Sequence, residues 1–363
     1  MSKIFEYLTE AVALGASDLH LKPGQIPFFR ISGELEQSHF PPLTDTDLQE
    51  IVREILPAHL VKSYQEYHEA DFSLHRDDLG RFRVNLFQAQ MIPSLVFRHV
   101  KQKVPSLDEL HLPRNLLKIC GVQRGLVFIS GVTGSGKSTT LASLIQHINC
   151  SAHRRIITIE DPIEYMFRDE LSVITQREIG LDTLTFHSAL KTILRQDPDI
   201  IVIGEMRDEL SFKTAVAAAE TGHLVFTTMH AGTASTAVQR ILQFFPNSEW
   251  EQARLALASN LHSVVCQRLM RNTQGGVAPA VEILFNTPTV RKLIEKDKLD
   301  LLSVAIETGS EDGMQTFNQS IYGLIKSGMV SEEEGMAYAT NPAALRMNLQ
   351  GIFLDEGKRI LNI

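Results

Sequence analysis

Cysteine is scarce in this chain. Its 363 residues hold three, Cys120, Cys150 and Cys266, set far apart and without a CxxC pair. That scarcity argues against a structural zinc site or a disulfide framework and fits a reducing cytoplasm. Long apolar runs are missing too. No uninterrupted stretch approaches the length of a membrane-crossing helix, so any membrane association is expected to come through a partner. Positive charge is in deficit: 35 Lys and Arg against 43 Asp and Glu leave a net charge of −8. Nucleic acid is thereby disfavoured as the main partner, since its binders carry a basic footprint, although a local basic patch stays open. Glu6 and Glu10 lie inside the amphipathic N-terminal stretch, which does not read as a secretory signal. The sequence has no internal repeat and no low-complexity tract. What remains, 44% hydrophobic and 21% charged residues, is ordinary globular composition with length for two domains.

One motif stands out. Gly131, Thr133, Gly134, Ser135, Gly136, Lys137, Ser138 and Thr139 belong to the run Gly131-Val-Thr-Gly-Ser-Gly-Lys-Ser-Thr139, which has the spacing of a phosphate-binding loop. The residues before it, Leu126 to Ser130, read as a short buried strand. Those after it, Thr139 to Ile148, place Leu141, Leu144, Ile145 and Ile148 at helical spacing. Strand, glycine loop and helix is the order the motif requires. Glycines let backbone N–H groups turn inward around phosphate oxygens, and the helix start adds the positive end of its dipole. Lys137 can reach the outer phosphates and the Ser138 hydroxyl can ligate Mg²⁺. The run predicts a nucleoside triphosphate site.

Residues 1–103 read as a small α/β domain. Ile4, Leu8, Ala11 and Val12 mark a helix face. Asp18–Leu21 and Pro27–Ile31 look like strands, with a turn at Ser32-Gly33. Asp45 to Leu56 reads as a helix stopped by Pro57. Arg81–Phe87 alternates cleanly, with Ser94–Val100 as its hairpin partner. A linker at 104–115, with Pro105 and Pro113, precedes the nucleotide domain at 116–285. Residues 286–363 read as helical: Phe317, Ile321, Leu324 and Ile325 supply one face, and Ser331 with Glu334 has capping-box spacing.

Within 116–285, strands alternate with helices, which predicts a mostly parallel, doubly wound α/β sheet. Four strand candidates end in polar residues suited to nucleotide chemistry. The first enters the Gly131 loop. Arg155–Ile159 leads to Glu160, Asp161, Pro162 and Glu164. Asp199–Gly204 delivers Glu205, and Leu224–Met229 delivers His230. Ligands of open α/β sheets collect at the carboxyl ends of the strands. An acidic residue closing an apolar strand, here Glu205, suits Mg²⁺ or its waters. A carboxylate of the Glu160–Glu164 cluster could orient or deprotonate the attacking water. His223 and His230 flank the fourth strand, and His230, beside the nucleotide site, could donate to a γ-phosphate oxygen. Arg177, Arg195 and Arg207 are further cations on this segment.

Four ordered stretches carry a resemblance: Gly131 to Thr140, Ile157-Thr-Ile-Glu-Asp-Pro-Ile-Glu164, Arg195 to Asp208, and Ala219 to His230. They resemble the four boxes of the secretion-superfamily ATPases, specifically the retraction ATPases of type IV pili that power twitching motility. The likeness extends to Ala16-Ser-Asp-Leu-His-Leu21 and Gly313-Met-Gln-Thr-Phe-Asn-Gln-Ser320. It implies a RecA-like domain behind a PAS-like one, and ATP hydrolysis with Mg²⁺. Lys137 and Ser138 would hold phosphate and metal, Glu205 would take the Walker B role, Glu164 would act as base, and His223 and His230 would form the histidine box. Arg83 and Arg98 match arginines that reach nucleotide phosphates in such motors. The resemblance further implies a homohexamer at the cytoplasmic base of the pilus, touching an inner-membrane platform protein and a sibling retraction ATPase.

One stretch departs from the pattern. Where retraction motors carry Ala-Ile-Arg-Asn-Leu-Ile-Arg-Glu, this chain has Thr289-Val-Arg-Lys-Leu-Ile-Glu-Lys296. Arg291, Leu293 and Ile294 are kept as partner-contact candidates, whereas Glu295 reverses a charge. The accessory retraction ATPase relaxes the same stretch and stands as the alternative. Extension and secretion ATPases are longer and usually carry a CxxC…CxxC insert. A DNA translocase would want basic and aromatic surface, and a small-molecule kinase would want a substrate lid; none of these features is evident here.

Overall fold

The computed structural model describes residues 2–31, 33–100 and 103–352, arranged as two compact units. The first runs to Lys103 and takes in Glu164–Met166; the second takes up the rest of the chain from Val104 onward. Of the turn expected at Ser32-Gly33, Ser32 lies outside the described residues, as do Lys101, Gln102 and the last part of the helical region at 353–363.

In the first unit, six strands among the described residues form one antiparallel sheet: β1 (Asp18–Leu21), β2 (Phe28–Ile31), β3 (Glu34–Gln37), β4 (Glu69–Arg76), β5 (Gly80–Ala89) and β6 (Ile92–His99), ordered β3-β2-β1-β6-β5-β4. The alternation in β5 does what period two demands: Phe82, Val84 and Leu86 are buried, while Arg81, Arg83 and Asn85 take the other face. Helix Lys3–Ala13 adds Ile4, Tyr7, Leu8 and Ala11 to the core. Helix Asp45–Ile55 opens with a reciprocal Thr44–Asp47 capping box and ends before Pro57.

The second unit is built on a seven-stranded sheet among the described residues: β7 (Gly125–Ser130), β8 (Arg155–Glu160), β9 (Val173–Glu178), β10 (Ile200–Ile203), β11 (Leu224–Met229), β12 (Leu261–Arg271) and β13 (Val277–Phe285). Its order is β13-β12-β7-β11-β10-β8-β9, parallel throughout except for the antiparallel edge pair β12–β13. Strands β7 and β11 are buried along their whole length, as expected of parallel strands covered on both faces. The helix after the phosphate loop spans Lys137–Ser151 and buries Leu141, Leu144, Ile145 and Ile148. The later helices Pro288–Glu295, Leu302–Thr308 and Phe317–Lys326 bury Val290, Ile294, Leu302, Phe317 and Ile321 in the same core as the sheet. The described part of the C-terminal helical region is therefore packed into this unit.

Candidate nucleotide site

The parallel register brings the ends of β7, β10 and β11 together. Gly131, Gly134 and Gly136 take φ values of 151°, 79° and 84°, in the region that side-chain-bearing residues avoid. Space forbids a substituent as well. A Cβ on Gly131 would lie 2.4 Å from Ser135 Oγ and 2.6 Å from the Gln267 carbonyl, and one on Gly136 would lie 2.7 Å from Gln267 Nε2. The loop is thus wound so tightly that β12 touches its back. Thr140 Oγ1 donates to Gln267 Oε1 at 2.6 Å in the buried interior and fixes the first helical turn to that strand. Lys137 is 9% exposed and its Nζ donates to the carbonyls of Gly131 and Val132 at 3.0 Å each. Ser135 Oγ is buried without a hydrogen-bond partner. Thr133 and Gly134 form the exposed crest, with Ser138 and Thr139 half-buried on the helix start. A positive-φ cradle that excludes Cβ atoms, an ammonium at its centre and an unpaired hydroxyl fit a polyphosphate.

Glu205 leaves the end of β10 and is clasped on both sides. Arg207 donates to its Oε2 through Nε at 2.9 Å and Nη2 at 2.6 Å, and His230 Nε2 lies 3.3 Å from Oε1. The carboxylate holds the Arg207 guanidinium above its usual basicity. Thr228 Oγ1 donates to the Gly204 carbonyl at 2.6 Å, and the Met206 N–H to the Thr228 carbonyl at 3.0 Å, so the turn after β10 is stitched to β11. Ser130 Oγ donates to the Ala231 carbonyl at 2.8 Å and accepts its N–H at 3.0 Å, tying the loop entry to the segment after His230. A carboxylate and an imidazole beside the phosphate cradle suit a hydrated divalent cation and phosphate oxygens.

Not every expected residue joins them. His223 precedes β11, where Leu224 pairs with Gly125 at the start of β7, whereas Met229 pairs with Ser130 at the loop end. The two histidines therefore stand at opposite ends of a buried strand, roughly 23 Å apart at about 3.3 Å per residue. His223 Nδ1 instead lies 2.9 Å from the Ala218 carbonyl and 3.1 Å from Thr221 Oγ1, closing a helix end. The catalytic role expected of His223 with His230 is corrected accordingly: of the two, His230 stands at the phosphate-loop end of β11. Glu164 is exposed, after the buried Ile163. Arg83 and Arg98 are direct cross-strand partners on the first unit's sheet, and carboxylates on the neighbouring strands β1 and β4 compensate their charge. Arg98 Nε donates to Asp18 Oδ1 at 2.8 Å, and Arg83 Nη2 lies 3.6 Å from Asp71 Oδ1.

The partner-contact candidates also divide. Leu293 and Ile294 are 7% and 0% exposed, so they are core residues of helix Pro288–Glu295 and offer no side chain to a partner. Arg291 is exposed and lines a cleft of about 580 Å³ with Lys118, Arg124 and His262. That cleft includes Gly125, so it sits at the end of β7 away from the phosphate loop. Burial lowers the His262 pKa there. Two contributors to the site had no signal in the sequence: Gln267, which braces the loop from a distant strand, and Ser130.

Comparison with known proteins agrees with this geometry. The family model described as "Type II/IV secretion system protein" matches residues 2–341. The type IV pilus retraction ATPase PilT of Pseudomonas aeruginosa is 40% identical over 339 residues, covering 93% of this chain and 98% of that protein. The type IV pilus ATPase PilU of the same organism is 38% identical over 340 residues, covering 93% and 89%. A crystal structure of the pilus retraction motor PilT with bound ADP superposes with a TM-score of 0.87 at 39% identity, covering 94% of this chain and 98% of that one. With its phosphate cradle, its clasped strand-end glutamate and these matches along nearly its whole length, the chain belongs to the type II/IV secretion system protein family.

Proposed function

We propose that this chain is an ATP-hydrolysing motor that retracts type IV pili and so drives twitching motility. The observation that carries the reading is 40% identity to a retraction ATPase across 93% of the chain, together with the wound phosphate loop at the end of β7. In this reading the loop N–H groups and Lys137 Nζ hold the phosphates, and the ammonium exchanges the carbonyls of Gly131 and Val132 for phosphate oxygens. Mg²⁺, when bound, would neutralise charge on those oxygens, and the Ser138 hydroxyl and Glu205 would hold it. His230 orients Glu205 and donates toward the terminal phosphate. Glu164 takes the proton from the attacking water.

Arg83 and Arg98 complete the site from a neighbouring copy in a homohexamer, so that a cation arriving on closure couples hydrolysis to movement. The assembly acts in the cytoplasm, at the inner-membrane base of the pilus, against a platform protein. Among the described residues no helix is long and apolar enough to cross a membrane, which fits attachment through that partner. A second reading, an accessory retraction ATPase working beside the main motor, is favoured by the 38% identity to PilU and by Glu295 in the Thr289–Lys296 stretch. Gene deletion separates the two. Loss of twitching with excess surface pili, restored by the wild-type chain and not by Lys137→Ala, is expected of the main motor. Partial twitching with ordinary piliation identifies the accessory role, and unchanged twitching defeats both.

A further inference from the structure

The clasp on Glu205 is asymmetric. Both Arg207 contacts, from Nε at 2.9 Å and Nη2 at 2.6 Å, fall on Oε2. The guanidinium approaches side-on with both nitrogens on one oxygen, so the pair lacks the two-oxygen fork of the strongest arginine–carboxylate pairs. The Arg207 side chain is 61% exposed against 22% for Glu205. Exposed pairs contribute little and are screened by salt. The backbone beneath is fixed at both sides of Arg207. The Met206 side chain is buried and its N–H is bonded to Thr228, while Asp208 caps helix Glu209–Glu220 by accepting the Ser211 N–H at 2.8 Å. Only the arginine side chain has to move for Oε2 to open. A second carboxylate, Asp161, also acts electrostatically on Arg207, more weakly than Glu205.

We propose that Arg207 is a displaceable counter-ion of Glu205, holding Oε2 until a divalent cation arrives with nucleotide and takes that oxygen over. The inference rests on reading Glu205 as the metal-binding carboxylate. Arg207 is then a positioning residue that acts through Glu205. It lowers the help that Mg²⁺ gives to nucleotide binding, because part of the cation's binding energy goes into breaking the clasp. His230 Nε2 lies 3.3 Å from the other oxygen, Oε1, so the exchange concerns Oε2 alone.

The test uses the full chain and fluorescent N-methylanthraniloyl-ADP, with Kd measured in MgCl₂ and in EDTA. The readout is the Kd in EDTA divided by the Kd in MgCl₂, a ratio that cancels effects common to both conditions. In Arg207→Ala the ratio should rise about two- to fivefold over wild type, the range an exposed ion pair spans. In Glu205→Gln the ratio should fall, and adding Arg207→Ala to that background should change nothing further. An unchanged or smaller ratio in Arg207→Ala overturns the proposal, as does an Arg207 effect that survives in Glu205→Gln. If wild type shows no Mg²⁺ dependence and Glu205→Gln matches it, the reading of Glu205 itself fails, and Arg207 falls with it.

Discussion

Lys137 is bonded to the carbonyls of its own loop, so the ammonium is already fixed where phosphate oxygens would replace those partners. Such preorganisation removes the cost of gathering the group at the moment of binding. The two acidic residues assigned to hydrolysis differ in the same respect: Glu205 is clasped and Glu164 is exposed. Glu164→Gln should therefore bind ATP normally and hydrolyse it at least ~100-fold more slowly, the scale of a lost general base. Steady-state turnover beside nucleotide affinity checks this, and if only Glu205→Gln behaves so, the base is reassigned. At this scale the sequence was legible wherever function is local. The glycines, Lys137, Glu205 and His230 each follow from spacing or from the end of an apolar strand. His223 sits where the strand pattern puts it, but a shared motif does not say that the strand carries it away from the phosphate loop. Leu293 and Ile294 were misplaced because a shared motif does not say which helix face is buried.

Elements were read well where their period is clean. Strands Asp18–Leu21 and Leu224–Met229 fall where their patterns put them, and the helix after the phosphate loop gains two residues at its start because Gly136 caps it. Polar edge strands gave no such signal: β9, Val-Ile-Thr-Gln-Arg-Glu, has no buried face to impose alternation. Capping was half legible. Ser331 accepts the Glu334 N–H, but the Glu334 carboxylate reaches the Arg271 N–H at 2.8 Å instead of closing the box. On β13, Glu282 is 6% exposed and accepts the Ala234 N–H at 2.8 Å, holding the start of helix Ala234–Leu242. Burial raises its pKa above the ordinary 4.5, only partly offset by that N–H and by Arg268. The folded chain thus favours the protonated acid. The cost of ionisation is absent below the unfolded value, grows as pH rises toward the folded one, and is constant beyond it. Glu282→Gln keeps a carbonyl for Ala234 and never ionises. Its Tm relative to wild type should be higher at pH 7.5 than at pH 4; an equal difference at both would remove the argument.

For the whole molecule, the reading as a ring motor makes a prediction about mass. Light scattering of the purified chain with nucleotide should give a value near six times 40.6 kDa. A single copy under every nucleotide condition would leave Arg83 and Arg98 without a neighbour to serve. The α/β class and the parallel sheet were evident from the order of patterns along the chain, but the antiparallel hairpin β12–β13 was not, since nothing near Gln267 announces its distant partners. That hairpin places two consecutive side chains on opposite errands. Gln267 grips Thr140 behind the phosphate loop, while Arg268 stacks 3.8 Å above the Phe317 ring and donates to the Tyr338 carbonyl at 2.6 Å. One peptide unit therefore separates the grip on the nucleotide cradle from the grip on the C-terminal helices. A tug on those helices has there a short lever through which to reach the cradle.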